Sequence, residues 1–207
     1  MGPPASLPLP KLRSGAFKRL APAVVLALAA AACGSGPAPT TYDLSAPRAG
    51  ARFGGAVSGQ VVVSEPTAIQ TLEAEKIIAK DQAGAVSFLG GGQWADRLPR
   101  QIQARLIETF ENSSKLKAVS RPGERVTPDY LLNTEIRAFQ ISSATGEAVV
   151  ELSGRLVQDR TGRIVAGRVF SAGEPVAKVD AASAAQALDA ALSKVLLEMV
   201  RWVGSGR

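Results

Sequence analysis

The chain has 207 residues, 46% of them hydrophobic, with 24 Lys and Arg against 18 Asp and Glu, no His and one Cys. Without His the commonest general base, pH switch and metal ligand are gone, so zinc and Ser-His-Asp chemistry in their usual forms are excluded, and a single Cys excludes an internal disulfide. Of the 24 basic residues four lie in 1–32, where there is no acidic residue, so the rest of the chain carries 20 against 18: an ordinary surface, not the clustered basic face of a nucleic-acid binder.

Residues 1–32 read as an export signal. Lys11, Arg13, Lys18 and Arg19 precede an apolar run from Leu20 to Ala32 that ends in small residues, the three parts of such a signal. The run has 13 residues and is mostly Ala, whereas a membrane span needs about 20. The stretch Met1–Pro10 is Pro-rich and uncharged, unlike the start of a signal. Cys33 follows Ala30-Ala31-Ala32 directly. That placement resembles a bacterial lipobox, with cleavage between Ala32 and Cys33 and a thioether from the thiol to diacylglycerol. Most lipoboxes carry Leu where this chain has Ala30. The rival is a plain signal cut after Ala-x-Ala, which leaves Cys33 as an odd thiol in an oxidising space.

Removal of 1–32 leaves 175 of the 207 residues, enough for one domain with a proper core. Residues 34–57 hold Pro37, Pro39, Pro47, Gly50, Gly54 and Gly55 and read as a tether a few nanometres long. Within it, Thr41-Tyr42-Asp43-Leu44 is a small apolar patch suited to docking on the body. Val61–Val63 predict a first strand over 60–65, ended by Pro66. Residues 67–74 read as a helical turn. Strands over 76–80 and 85–89 flank Asp81-Gln82-Ala83-Gly84 as a hairpin. Gly90-Gly91-Gly92 then releases the chain into a helix over 94–112, with Trp94, Leu98, Ile102, Leu106 and Phe110 on one stripe and Asp96 as cap.

A short strand over 116–120 and a polar loop over 121–128 follow. Residues 130–141 alternate until Phe139 and Ile141 break the phase, which predicts a bulge or a change of face. The next strand turns Ala148, Val150, Leu152, Gly154 and Leu156 inward. After a turn at 159–162, residues 163–171 complete an antiparallel meander. An amphipathic helix over 180–203 closes the chain, with Gly204 as its stop. The fold class predicted is α+β: a mostly antiparallel sheet with two amphipathic helices packed on one face.

No residue constellation builds an active site. Glu108 with Glu111, and Glu73 with Glu75, read as solvated charge. Gly90–Gly92 before a helix lacks the Lys-Ser/Thr of a phosphate loop. Asn112-Ser113-Ser114 fits a glycosylation sequon, which means little in a bacterium. Trp94 and Trp202 read as core anchors.

In order, the features resemble the ABC-type transport auxiliary lipoprotein family, encoded with MCE-domain lipid transport systems. The resemblance runs from Cys33 through Tyr42-Asp43-Leu44, the Val-rich strand before Pro66, Trp94-Ala95-Asp96-Arg97-Leu98 and Asp129-Tyr130-Leu131-Leu132. Ile136 to Phe139, Phe170 and the Ala-rich final helix ending in Trp202 complete it. Where the family often has two adjacent tyrosines, this chain has Thr41-Tyr42. The resemblance implies a lipoprotein signal at 1–32, a lipidated Cys33 with tether at 33–57, and the auxiliary domain at 58–204. It implies a non-catalytic periplasmic subunit with no cofactor beyond diacylglycerol and an N-acyl chain on Cys33. Its partners would be membrane lipid, an MCE-domain protein and an ABC permease and ATPase. Gly34 after Cys33, in place of Asp, favours the outer membrane of a Gram-negative cell. The sheet edges near 59–65 and 163–174 are candidate surfaces for docking or for a homo-oligomer. The alternatives are a lipoprotein of another envelope assembly system, handling lipopolysaccharide, a secretin or peptidoglycan, and a lipid-anchored hydrolase, for which no constellation speaks.

Overall fold

The computed structural model describes Gly2 and residues 38–47, 59–113 and 119–205. The signal, the cleavage position at Ala32 and Cys33, most of the 33–57 tether and the start of the strand expected at 116–120 lie outside the described residues. Among those described, β1 is Thr40–Tyr42, β2 Val61–Val63, β3 Thr67–Ala68, β4 Lys76–Lys80 and β5 Val86–Trp94. Helix α1 spans Leu98–Ser113, then come β6 Val119–Ser120, β7 Tyr130–Ser142, β8 Glu147–Gln158, β9 Arg163–Pro175 and helix α2 Ala181–Ser205.

Strand β7 is the axis of the sheet. On one side it pairs antiparallel with β8, and β8 with β9; this is the antiparallel meander expected from residues 130–171. Its other side is served by three short strands that all run parallel to it: β2 beside Tyr130–Leu132, β3 beside Glu135–Ile136 and β4 beside Ile141–Ser142. β5 adds antiparallel to β4, while β1 and β6 add parallel to β5 and β2. The sheet is therefore mixed, which corrects the mostly antiparallel expectation. Hairpin signals reveal only neighbours in sequence, whereas parallel pairing needs a long crossover, which β5 and α1 together supply between β4 and β7.

Two further corrections concern β5. The glycines at 90–92 do not release the chain; they lie within the strand, and Trp94 is its last residue rather than the first of a helix. A Cβ at Gly92 would sit 2.5 Å from the Ala181 Cβ and 2.7 Å from the Tyr42 ring. Glycine is needed there for close approach. The 67–74 segment is β3 followed by a single 3-10 turn at Gln70–Leu72.

The phase break in β7 is a bulge: its register against β8 shifts between Ile136 and Ala138. Leu132, Thr134 and Ile136 are buried before it, Phe139 and Ile141 after it. β8 buries Ala148, Val150, Leu152 and Leu156 as the alternation predicts. Helix α1 turns Leu98, Ile102, Leu106 and Phe110 inward. In α2 the first helical residue is Ala181, because Asp180 caps it: the Ser183 N–H donates to Asp180 Oδ1 at 2.8 Å. Gly204 lies inside the last turn rather than beyond it. Both helices pack on the sheet and on each other, α2 over β8 and β9, α1 at β2 and β6. Edge-on aromatic pairs, Trp94 with Phe139 at 5.6 Å and Phe170 with Trp202 at 5.4 Å, sit at opposite ends of the core, so both tryptophans are core anchors as expected.

Candidate functional site

Residues 40–45, seven and more positions past Cys33, do not dangle. Strand β1 pairs Thr40, Thr41 and Tyr42 with Gly92, Gln93 and Trp94, and the Ala95 N–H donates to the Tyr42 carbonyl at 2.8 Å. Leu44 is then 2% exposed, seated in the core. Three side chains strap this segment to the helices. Gln101, buried in α1, accepts from the Leu44 N–H at 3.1 Å and donates to the Asp96 carbonyl at 2.8 Å. Both ends of a buried carboxamide are thereby satisfied. Arg105 spans Asp43 at 2.6 Å and Glu108 at 2.8 Å. Burial acts to lower the Arg105 pKa, but the hydrogen bonds to Asp43 and Glu108 outweigh it and raise it. On α2, Asp189 accepts from the Ser45 N–H at 2.7 Å and from its hydroxyl at 2.5 Å.

The apolar patch at 41–44 thus docks as its composition predicts, and the tether is shortened: its last described stretch, 40–47, belongs to the body. The strap's polar half, Asp43, Gln101, Arg105 and Asp189, escaped the sequence reading. The one available signal was Gln101, a polar residue next to the apolar stripe of α1.

The other sequence candidates resolve as structure. Glu108 is taken by Arg105, and Glu111 is exposed. A groove on the outer face of β7 and β8 holds Ser64, Asn133, Glu135, Ser153 and Arg155. These five side chains pair with one another: Ser64 Oγ with Asn133 Oδ1 at 2.8 Å, Ser153 Oγ with Glu135 at 3.3 Å, Arg155 with Glu135 at 3.7 Å, while the buried Thr134 Oγ1 beside them has no partner. No nucleophile with an activating base is formed there. Among the described residues no group of three or more Cys, Asp or Glu is placed to hold a metal, and no helix is long and apolar enough to cross a membrane.

Of the two sheet edges expected, 59–65 is not one. β2 is paired on both sides, by β6 and β7, and all three valines are buried; its unbroken apolar run marks an interior strand. β9 is an edge: it pairs with β8 alone, runs four residues past the expected 171, and exposes Ile164, Val165 and Val169.

The model of the ABC-type transport auxiliary lipoprotein component matches residues 42–200. An uncharacterized protein of Bradyrhizobium diazoefficiens is 36% identical over 167 residues, which is 78% of this chain and 44% of that one. The chain thus spans less than half the length of the curated relative it matches. A crystal structure of a Xanthomonas campestris protein superposes with a TM-score of 0.70 and 27% identity, over 80% of this chain and 95% of that one. A second crystal structure shares the fold at a TM-score of 0.63 with 14% identity, over 81% of this chain and 99% of that one.

Proposed function

The chain belongs to the ABC-type transport auxiliary lipoprotein component family, and from that premise we propose that it is a non-catalytic, lipid-anchored periplasmic subunit of an ABC/MCE-type transport system. In this reading it helps move lipids or other hydrophobic molecules across the cell envelope. Cys33 carries diacylglycerol and an N-acyl chain, Ala32 is the last residue removed, and Gly34 directs the protein to the outer membrane. Several acyl chains at about 0.8 kcal/mol per buried methylene anchor stably where one does not.

The observation that carries the reading is the strap. The chain seven residues past Cys33 enters a strand of the body and is held by Gln101, Arg105 and Asp189, which suits a segment that transmits an anchor to a folded domain. The self-paired polar groove supports a non-catalytic role. Fractionation tests the anchor: wild type is expected in the membrane and Cys33→Ser in the soluble periplasm, and a soluble wild type overturns it. Crosslinking of the anchored protein in its own membranes, followed by mass spectrometry, tests the partners. An MCE-domain protein and a permease are expected. Recovery of lipopolysaccharide, secretin or peptidoglycan machinery instead would favour the alternative envelope role.

A further inference from the structure

We infer that one end of the sheet, the β4–β5 hairpin with the loop before α2, is a lipid-facing surface that rests on the membrane to which Cys33 is attached. The inference rests on the anchor proposed above and adds an orientation to it.

The direction of chain entry comes first. β1 runs parallel to β5 and begins level with Gly92, so the chain arrives from the end of the sheet at which β5 begins. Seven peptide steps separate Cys33 from Thr40, at most about 25 Å of extended chain. From Gly92 back to Phe88 along β5 is about 13 Å. On so short a leash Phe88 stays within about 12 Å of the bilayer surface, and this end of the sheet is the one that faces it.

That end is dressed accordingly. The Ser143 N–H donates to the Lys80 carbonyl and the Val176 N–H to the Gly146 carbonyl, which gathers the β4–β5 hairpin, the β7–β8 turn and the loop before α2 at one place. There Phe88 is 60% exposed, Val179 56% and Val86 41%. An aromatic ring that exposed is uncommon on a solvated strand. Two of the three nearby carboxylates are engaged: Asp81 accepts from the Ala85 N–H at 2.8 Å, and Asp180 caps α2 and lies 3.4 Å from Lys178, while Glu147 at the β7–β8 turn is exposed at the margin. Lys80 remains at the rim, suited to a headgroup phosphate. Shallow insertion of Phe88 and the valines then acts beside the acyl chains as a second membrane signal.

The test uses the full-length lipidated protein in vesicles of phosphatidylethanolamine and phosphatidylglycerol with brominated acyl chains. The Cys33 thiol is consumed in the thioether, so a cysteine introduced as Phe88→Cys takes a fluorophore alone. Val126→Cys, in the loop before the start of β7 and so at the opposite end of the sheet, is the control. Flotation reads the anchor by itself: protein that does not float removes the anchor and this surface with it. In floating protein, the label at 88 is expected to lose its fluorescence to bromine while the label at 126 keeps it. No loss at 88, or equal loss at both positions, overturns the lipid-facing surface and leaves the anchor standing.

Discussion

Gly92 is where a single atom decides the packing. Its hypothetical Cβ meets the Ala181 Cβ at 2.5 Å and Tyr42 Cε2 at 2.7 Å, and the Ala181 methyl, fixed to a helix backbone, cannot rotate aside. Overpacking of this kind costs about 1–3 kcal/mol. Gly92→Ala is expected to lower the urea midpoint accordingly. Gly90→Ala, two residues away with nothing within 4 Å, is expected to leave it unchanged. Asp180 offers a test by pH. The hydrogen bond from the Ser183 backbone N–H, with the hydroxyl of Ser183 and Lys178 after it, holds its carboxyl below its ordinary 3.8. The unfolded chain therefore binds the proton first, and this contribution is present above pH 3.8 and is lost as pH falls through the lower folded value. Thermal melts of wild type and Asp180→Ala are expected to differ most at neutral pH and to converge in acid. The sequence placed Asp180 at the start of the helix, and the structure makes it the cap just outside. The role of Gly92 was not legible: a run of three glycines carries no sign of the distant ring and helix that press on it.

At the scale of elements, the strap 40–47 is held by one buried leucine and three side chains from two helices. Its sheet bonds run along three residues of β5 alone, so it should open before the meander does. Leu44→Ala removes a fully seated side chain, worth about 2–5 kcal/mol of docking. Amide exchange is expected to accelerate at Ala95, whose N–H bonds the Tyr42 carbonyl, while amides in β7 and β8 keep their protection. Uniform acceleration across the sheet would mean that strap and body open as one unit. Elements with strong periodicity were readable: β7 with its bulge, β8, and both helices within a few residues at their ends. β1 was not, since three residues between prolines carry no alternation, and only pairing to β5 makes them a strand. Of the two edges expected, 163–174 is one, since β9 pairs with β8 alone, whereas 59–65 reads as an edge only until β6 and β7 are seen closing on both sides of it.

For the whole molecule, the pairing of β2 with β7 joins residues 69 apart in the chain, and α2 covers β8 and β9 only once all 25 of its residues are made. Such non-local contacts fold slowly, and no half of the sheet has a core of its own. A chain ended before Ala181 loses Leu188, Leu192, Val195, Met199 and Trp202 from the single core. It is expected to lack near-ultraviolet circular dichroism from Trp94, whereas a chain ended after Ser205 keeps it. What the sequence alone determined was local or chemical: a lone cysteine after an apolar run, a chain without histidine, the periods of the helices and of the meander, and through their order the family. These follow from side-chain character and from spacings of two and of three to four residues, which need no tertiary partner to be read. The tertiary structure decided which strands are neighbours. It put β2, β3 and β4 in line along one edge of β7, buried the Val-rich strand, ran β5 through its glycines and strapped the residues after Cys33 to the helices. Parallel pairing, close approach and straps between distant residues are set by how the whole core closes. No window of sequence contains them.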